Sequence, residues 1–498
     1  MSAREIVESL VPSSDIFIGG EWRQGRGGRY VSTYPADQAV NMEISTASVE
    51  DVNEAIEAAD KAWRRPDWAG LKPFQRAAIL YRIADLITQR KDAIAQLQRR
   101  DNGKPIRETS VLTMSAAATF RYFAACLETL DEEITSSRGD YMTMSVYEPM
   151  GVIAAIVPWN SPIASDAQKL APALAGGNAV VLKPAEATPL VSLALARICE
   201  EAGVPKGVIS IVPGKGSVIG DALVKHPLVK KVAFTGGTEV GRNIARLAAE
   251  KLMPLSLELG GKSPTIVFED ANMDHAVNGV LYGIFSSSGQ ACIAGARLFV
   301  QRSVYDQFMA RLVEGARKLR IGDPLDHDTH MGPLISKAHR ESVERYVAKG
   351  LEEGGRLLVG GECPRGELYD KGFYFQPTII EGVLNNATIC QQEIFGPVLV
   401  AMPFDDEADL IEQANDSVFG LAAGIWSGDY KRIWRIARAL ETGTVWINTY
   451  KLFSISTPFS GWKESGLGRE KGRLGIREYM QQKSLYWGMN EAPIAWAK

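Results

Sequence analysis

Residues 287–300 read SSGQACIAGARLFV and place one thiol, Cys292, among small and apolar residues, with no charged neighbour before Arg297. Taken alone, a cysteine in such a setting reads as a small buried hydrophobe. As a nucleophile it would need a base, a donor for developing negative charge and an acceptor for the electrons it releases. No histidine lies nearby in sequence, so a thiol-protease pairing is not suggested. Glu258, in PLSLELGGKSP, is a lone acid in an otherwise apolar strand. Such a carboxyl is either paired or poised with a raised pKa. Asn160, in VPWNSP, follows a buried strand and is an amide of the type that builds an oxyanion hole.

Two further stretches could hold a nucleotide. In VAFTGGTEVG a strand runs into Gly236 and Gly237, and a helix opens near Thr238. Glycines let backbone N–H groups approach a phosphate, and a helix N-terminus adds positive potential. The dinucleotide fingerprint G-x-G-x-x-G is absent, and GKGSVIG has the wrong last spacing. On its own the Gly-Gly turn is a tight connection. In VLKPAEATP, Lys183 and Glu186 stand at the carboxyl end of an apolar strand, where a carboxylate could accept both hydroxyls of a ribose and a lysine could donate to the same sugar. On its own that motif is a solvated turn.

The remaining cysteines do less. Cys126 and Cys199 lie in helical patterns with apolar neighbours, and Cys363 and Cys390 lie in loop-like context. There is no CxxC, so neither a zinc site nor a disulfide framework is suggested. The five histidines are scattered; His327 and His330, in DPLDHDTHMGP, read as a solvated acidic loop rather than a metal site. No metal is expected.

Elements of two kinds must position these groups. From 151 to 249 short apolar runs alternate with helical patterns: GVIAAIVPW, AVVLKPA, VISIVPG and VKKVAFTGG as strands, SDAQKLAPALAGG, PLVSLALARICEEAG, VIGDALVKH and EVGRNIARLAAEK as helices. In the last helix Val240, Ile244, Leu247 and Ala248 share one face. Fully apolar strands between helices imply a parallel sheet covered on both faces. The alternation resumes near Gly261 with SPTIVFED, ARLFVQ and GPVLVAMPF as strands, which predicts a second α/β domain. A chain of 498 residues is too long for one ordinary core. The first ~125 residues read as mostly helical and as packed on the first sheet.

VPWN, LKPAE, FTGGTEVG, LELGGKSP, GQACIAGAR, EIFGPV and PFSGWKESGLGRE occur in the order and near the spacing of the aldehyde dehydrogenase superfamily, and the sequence resembles it from about Phe17 to the last strand. The resemblance implies an α/β fold: a modified doubly wound, Rossmann-like cofactor domain (1–124 and 145–260), an α/β catalytic domain (261–460) and a small β oligomerisation flap (125–144 and 461–498). It implies NAD bound without G-x-G-x-x-G; NADP is possible, and Glu186 would repel a 2′-phosphate. By the same resemblance Cys292 is the nucleophile, Asn160 with the Cys292 backbone N–H the oxyanion hole, and Glu258 the general base; Lys169 is similar to a lysine of the proton relay. Lys183 and Glu186 would hold the adenosine ribose, Trp159, Gly236 and Gly237 the phosphate path, and Glu393 the nicotinamide ribose, with Phe395 against the ring. Many members carry Ser at Gly237, so one hydroxyl contact is missing here. Ser161, Ser165, Gln168, Ile293, Lys451, Phe453 and Phe459, with Met114 as a further candidate, would line the substrate tunnel.

The implied reaction is attack of the Cys292 thiolate on an aldehyde, hydride transfer to NAD+, and hydrolysis of the thioester by water that Glu258 deprotonates. Ser, Ser and Gln at 161, 165 and 168, where relatives that take simple aldehydes carry large apolar groups, point to a polar, carboxylate- or hydroxyl-bearing aldehyde. Lys451 would strengthen that reading unless it points to solvent. Coenzyme-A-acylating relatives usually lack the glutamate, which disfavours that alternative; an inactive binding relative is opposed by the intact Cys292, Glu258 and Asn160.

The bulk numbers agree with a catalyst rather than a polyanion binder. Lys plus Arg is 55 and Asp plus Glu 59, a net charge of −4, so no electrostatic footprint for nucleic acid or an anionic membrane is present. MSAREIVESL lacks an apolar signal core, and the apolar runs are shorter than a span, so the cytoplasm is the expected location. Edge-like strands in TSSRGDYMTMSVYEP and QQKSLYWGM, by resemblance the flap, predict a homodimer or homotetramer.

Overall fold

The computed structural model describes residues 3–11, 13–491, 494 and 496. Two large sheets dominate it. The first has eight strands in the order Glu21–Arg23, Ile16–Ile18, Ile209–Ile211, Ala179–Lys183, Val152–Ile156, Val229–Thr235, Leu255–Glu258 and Gly466–Leu467. Its five central strands are parallel; the edge pairings are antiparallel. The second has seven, in the order Arg356–Val359, Thr378–Glu381, Val398–Phe404, Arg297–Gln301, Pro264–Val267, Ala422–Trp426 and Thr444–Ile447. All its pairings are parallel except the first.

Period-two alternation explains why the strands read as unbroken apolar runs. Ile153 and Ala155 point into one apolar layer, and Val152, Ala154 and Ile156 into another. In the second sheet Leu298 and Val300 face one layer and Phe299 the other. Burying both faces removes the polar side that an exposed sheet would show. The Ile106–Glu128 helix is long and apolar enough to cross a bilayer. Here it is a core helix that buries Phe120, Phe123, Ala124 and Leu127 in the layer of the first sheet.

The first ~125 residues are mostly helical, as expected, and two other expectations change. Among those helices, Ile16–Ile18 and Glu21–Arg23 complete the first sheet, and Arg29–Thr33 pairs with Val40–Ser45. Strands of three residues leave too short a run for periodicity to register. The three-stranded flap, Met480–Gly488, Tyr141–Pro149 and Glu133–Thr135, starts later than 461 and extends past 144. Within 461–479, Gly466–Leu467 pairs with Leu257 and Glu258 in the first sheet, and Trp462–Lys463 pairs with Phe419–Gly420. The last part of the expected flap lies partly outside the described residues. Finally, Val240 is 53% exposed, whereas Ile244, Leu247 and Ala248 are buried as expected; it sits in the first turn of its helix.

Candidate active site

The carboxyl ends of the first sheet meet the amino ends of the second. Asn160, Lys183, Gly236 and Glu258 each end or follow a strand of the first, while Gly261, Cys292 and Glu393 each come shortly before a strand of the second. LELGG is the crossing point. A Cβ at Gly260 would collide with the Glu393 carboxylate, and one at Gly261 with the Cys292 carbonyl oxygen. Only glycine lets these backbones pass so closely.

Cys292 is half-buried, not sealed. Burial, followed by the negative charges of Glu393 and Glu258, pushes its thiol up to about 12, while the backbone N–H groups of Cys292 and Ile293 face the sulfur and work against that shift. Its loop is held in a strained form. Ser287 and Ser288 have φ of 58° and 53°, a region unfavourable for residues with a Cβ. Glu108 clamps Ser287 by accepting from its N at 2.9 Å and its Oγ at 2.6 Å, and Ser288 Oγ donates to Gly332 O at 2.8 Å. Asn160 Nδ2 donates to Gln290 O at 3.0 Å, which ties the amide to the same loop and leaves its second N–H unused by that bond.

Glu258 is buried, and Oε2 has no hydrogen-bond partner. Burial, then repulsion from Glu470, raises its pKa well above the usual carboxylate range. Behind it Lys169 Nζ binds Glu470 Oε1 at 2.6 Å, with side chains 1% and 3% exposed. Breaking such a sealed pair costs about 3–5 kcal/mol, because one buried charge is left alone.

On the nucleotide side, the Thr238–Ala249 helix begins directly after Gly237, and a Cβ at Gly237 would meet nothing within 4 Å. Gly236 N donates to Glu258 O at 3.0 Å, which fixes the turn. Lys183 Nζ donates to Pro184 O at 3.1 Å, and burial pulls its pKa down to about 8 against the opposing pull of Glu186. Glu393 accepts from Gly261 N at 3.0 Å; burial raises it to about 7. Phe395 adopts φ 56°, and its ring meets that of Trp159 edge-on at 5.2 Å. A helix N-terminus behind a glycine turn, with the carboxylates of Glu186 and Glu393 among the groups around it, is a donor and acceptor set that a dinucleotide could use.

The residues expected to line a substrate tunnel are equally ordered. Along the Pro162–Ala175 helix and its cap, Ser161, Ser165 and Gln168 are half-buried while every residue between them is buried. The spacing i, i+4, i+7 puts the three on one face. Ile293 is buried. Phe453 and Phe459 pack edge-on at 5.5 Å. Lys451 turns inward: its Nζ donates to Ser286 Oγ at 2.7 Å, and burial lowers it to about 7. Met114 is exposed.

The sequence reading missed Glu108, Glu470, Lys104, His339 and Lys471. His339 Nε2 pairs with Phe395 O at 2.8 Å and stacks edge-on against Trp159 at 5.6 Å. Lys104 and Lys471 both feel the Cys292 sulfur. Glu470 and Lys471 lay within or beside a quoted motif, so their position was visible; only their partners were not. The other cysteines are structural. Cys126, Cys199 and Cys390 are buried, Cys390 in the helix Thr388–Gln391 rather than a loop, and Cys363 Sγ donates to Glu344 Oε1 at 3.0 Å.

A half-buried thiol, an unpartnered buried carboxyl and a tethered amide come together beside the Gly236–Gly237 turn. Residues 22–485 match the aldehyde dehydrogenase family model. The chain belongs to the aldehyde dehydrogenase family. It is 42% identical over 482 residues to betaine aldehyde dehydrogenase of Brucella melitensis, covering 96% of this chain and 98% of that one. It is 40% identical over 486 residues to the Bacillus subtilis betaine aldehyde dehydrogenase, covering 97% and 99%. The crystal structure of Staphylococcus aureus betaine aldehyde dehydrogenase in complex with NAD+ superposes with a TM-score of 0.97 at 37% identity, covering 100% of this chain and 99% of that one. This aldehyde dehydrogenase is an oxidoreductase of the NAD(P)-dependent class, and its reaction takes an aldehyde to a carboxylic acid.

Proposed function

We propose that the chain oxidises a polar aldehyde through a covalent intermediate on Cys292, with NAD preferred to NADP. The observation that carries this reading is the meeting of Cys292, Glu258 and Glu393 at the Gly260–Gly261 crossing, between the ends of two sheets. When bound, NAD+ would supply the acceptor for the electron pair. Gly237 and the helix N-terminus fit its phosphates, Glu186 with Lys183 one ribose, and Glu393 the other. The carboxylate of Glu186 disfavours a 2′-phosphate.

The Cys292 sulfur adds to the aldehyde carbon. Asn160 Nδ2 and the Cys292 N–H donate to the oxygen as it gains charge; removing one such donor costs about 3 kcal/mol, or 10²–10³ in rate. After oxidation the carbon is held as a thioester. Glu258 then takes a proton from water, which attacks the thioester and releases the acid. Lys169 and Glu470 lie behind Glu258 and hold the charge and proton balance of that step. Ser161, Ser165 and Gln168 make the substrate wall polar, which favours a carboxylate- or hydroxyl-bearing aldehyde over a plain aliphatic one.

Replacement separates the steps. Cys292→Ser will abolish NADH formation. Glu258→Gln will leave a burst of NADH near one equivalent per active site, followed by slow turnover; full steady-state turnover in that variant would refute the role of Glu258. We further propose that the enzyme is cytoplasmic and a homodimer or homotetramer, supported by the exposed strand Met480–Gly488 of the flap.

A further inference from the structure

Around Cys292 the charges do not cancel. Lys104 pairs with Glu108 at 3.7 Å, and Lys169 with Glu470 at 2.6 Å. Glu258 is held toward its neutral form. Two lysine side chains remain without a carboxylate partner. Lys451 is bound to the hydroxyl of Ser286, and among the described residues no carboxylate stands within ion-pairing distance of it. Lys471 is the stronger case. Its residue is 7% exposed, its backbone takes φ 60°, and among the described residues its Nζ has neither an ion pair nor a hydrogen bond. The ammonium rests 4.0 Å from the centre of the Phe453 ring and 5.0 Å from that of Phe459. An ammonium seated on two aromatic rings with no anion of its own is open to one, and this one lies beside the Cys292 site, under the influence of Glu470, Glu258 and Cys292.

We propose that Lys471, supported by Lys451, selects aldehydes that carry a second, negatively charged group, and that the enzyme rejects cationic aldehydes. The inference rests on the aldehyde dehydrogenase reading above and narrows its substrate. An anion at the far end of the substrate supplies the partner that Lys471 lacks. A quaternary ammonium substrate would instead seek aromatic faces, and the faces of Phe453 and Phe459 are already taken by an ammonium of the protein. The relatives named for betaine aldehyde therefore do not give this chain's substrate.

The test uses the full chain with NAD+ and matched aldehydes: 4-oxobutanoate against pentanal, 4-formylbenzoate against benzaldehyde, and betaine aldehyde. The wild type is expected to show kcat/KM at least about tenfold higher for an anionic member than for its neutral partner, and lowest for betaine aldehyde. Lys471→Met is expected to lower that ratio about tenfold, chiefly by raising KM for the anion, and to improve betaine aldehyde; Lys471→Arg is expected to keep the ratio. Lys451→Met serves as the second variant should the buried Met destabilise the fold, and it too is expected to lower the ratio. Equal or reversed preference in the wild type, or a ratio untouched in both Met variants, would overturn the selection while leaving the dehydrogenase intact. NADH from none of the aldehydes would overturn the dehydrogenase reading and the inference together.

Discussion

The residue scale is governed by charge in a confined space. Glu393 is the largest charge opposing a thiolate at Cys292, and Glu258 the next. In the ligand-free enzyme Cys292 therefore rests as a thiol at neutral pH. Its alkylation by iodoacetamide, followed by mass spectrometry of the Cys292 peptide, is expected to rise about tenfold per pH unit from 8 to 10, as thiolate fraction does below the pKa. A plateau near the ordinary thiol value of about 8.5 would contradict this. Glu393→Gln removes a carboxylate that is ionised at pH 8, since its pKa is raised only to about 7; alkylation there is expected to be several-fold faster. The identities of Cys292, Glu258 and Asn160 were legible because each is chemically odd in its local run. Lys471 was not, because an isolated lysine after Glu470 looks like any solvated charge until its ring neighbours are known.

At the scale of elements, glycines set how closely the sheets approach. Gly261→Ala would push a methyl against the Cys292 carbonyl oxygen, a backbone atom that cannot swing aside. The chain is expected to fold, since the two sheets and their four apolar layers remain, but to lose about a hundredfold in kcat through displacement of the sulfur. Wild-type kcat in purified Gly261→Ala would show that the crossing is slack. The parallel strands of both sheets were readable because burial on two faces writes them as apolar runs. The short strands Ile16–Ile18 and Gly466–Leu467 were not, because their register is decided by the neighbours Ile211, Leu257 and Glu258, far away in sequence. The polar stripe of Ser161, Ser165 and Gln168 was visible as spacing, yet only the helix shows that everything between them is buried.

For the molecule as a whole, the flap is the part least explained by the monomer. Met480–Gly488 pairs with Tyr141–Pro149 along its whole length but forms the outer edge of its sheet. Tyr486 is 73% and Trp487 63% exposed on it. Long exposed edges invite pairing with another chain. Tyr486→Glu combined with Trp487→Glu is expected to shift the native mass from an oligomer toward the monomer, measured by light scattering; an unchanged mass would remove the flap from the interface. That three-stranded sheet was only partly legible, since residues some 340 apart must pair to make it.

The grip of Glu108 on Ser287 joins a helix of one half of the molecule to the reactive loop of the other. Asn160 reaches across the same seam to Gln290. Neither half can arm the sulfur by itself, so competence is acquired only when the seam closes. Turnover is therefore expected only once the seam has closed, and mild urea is expected to abolish it before it melts either sheet, as activity and circular dichroism followed along one titration will show.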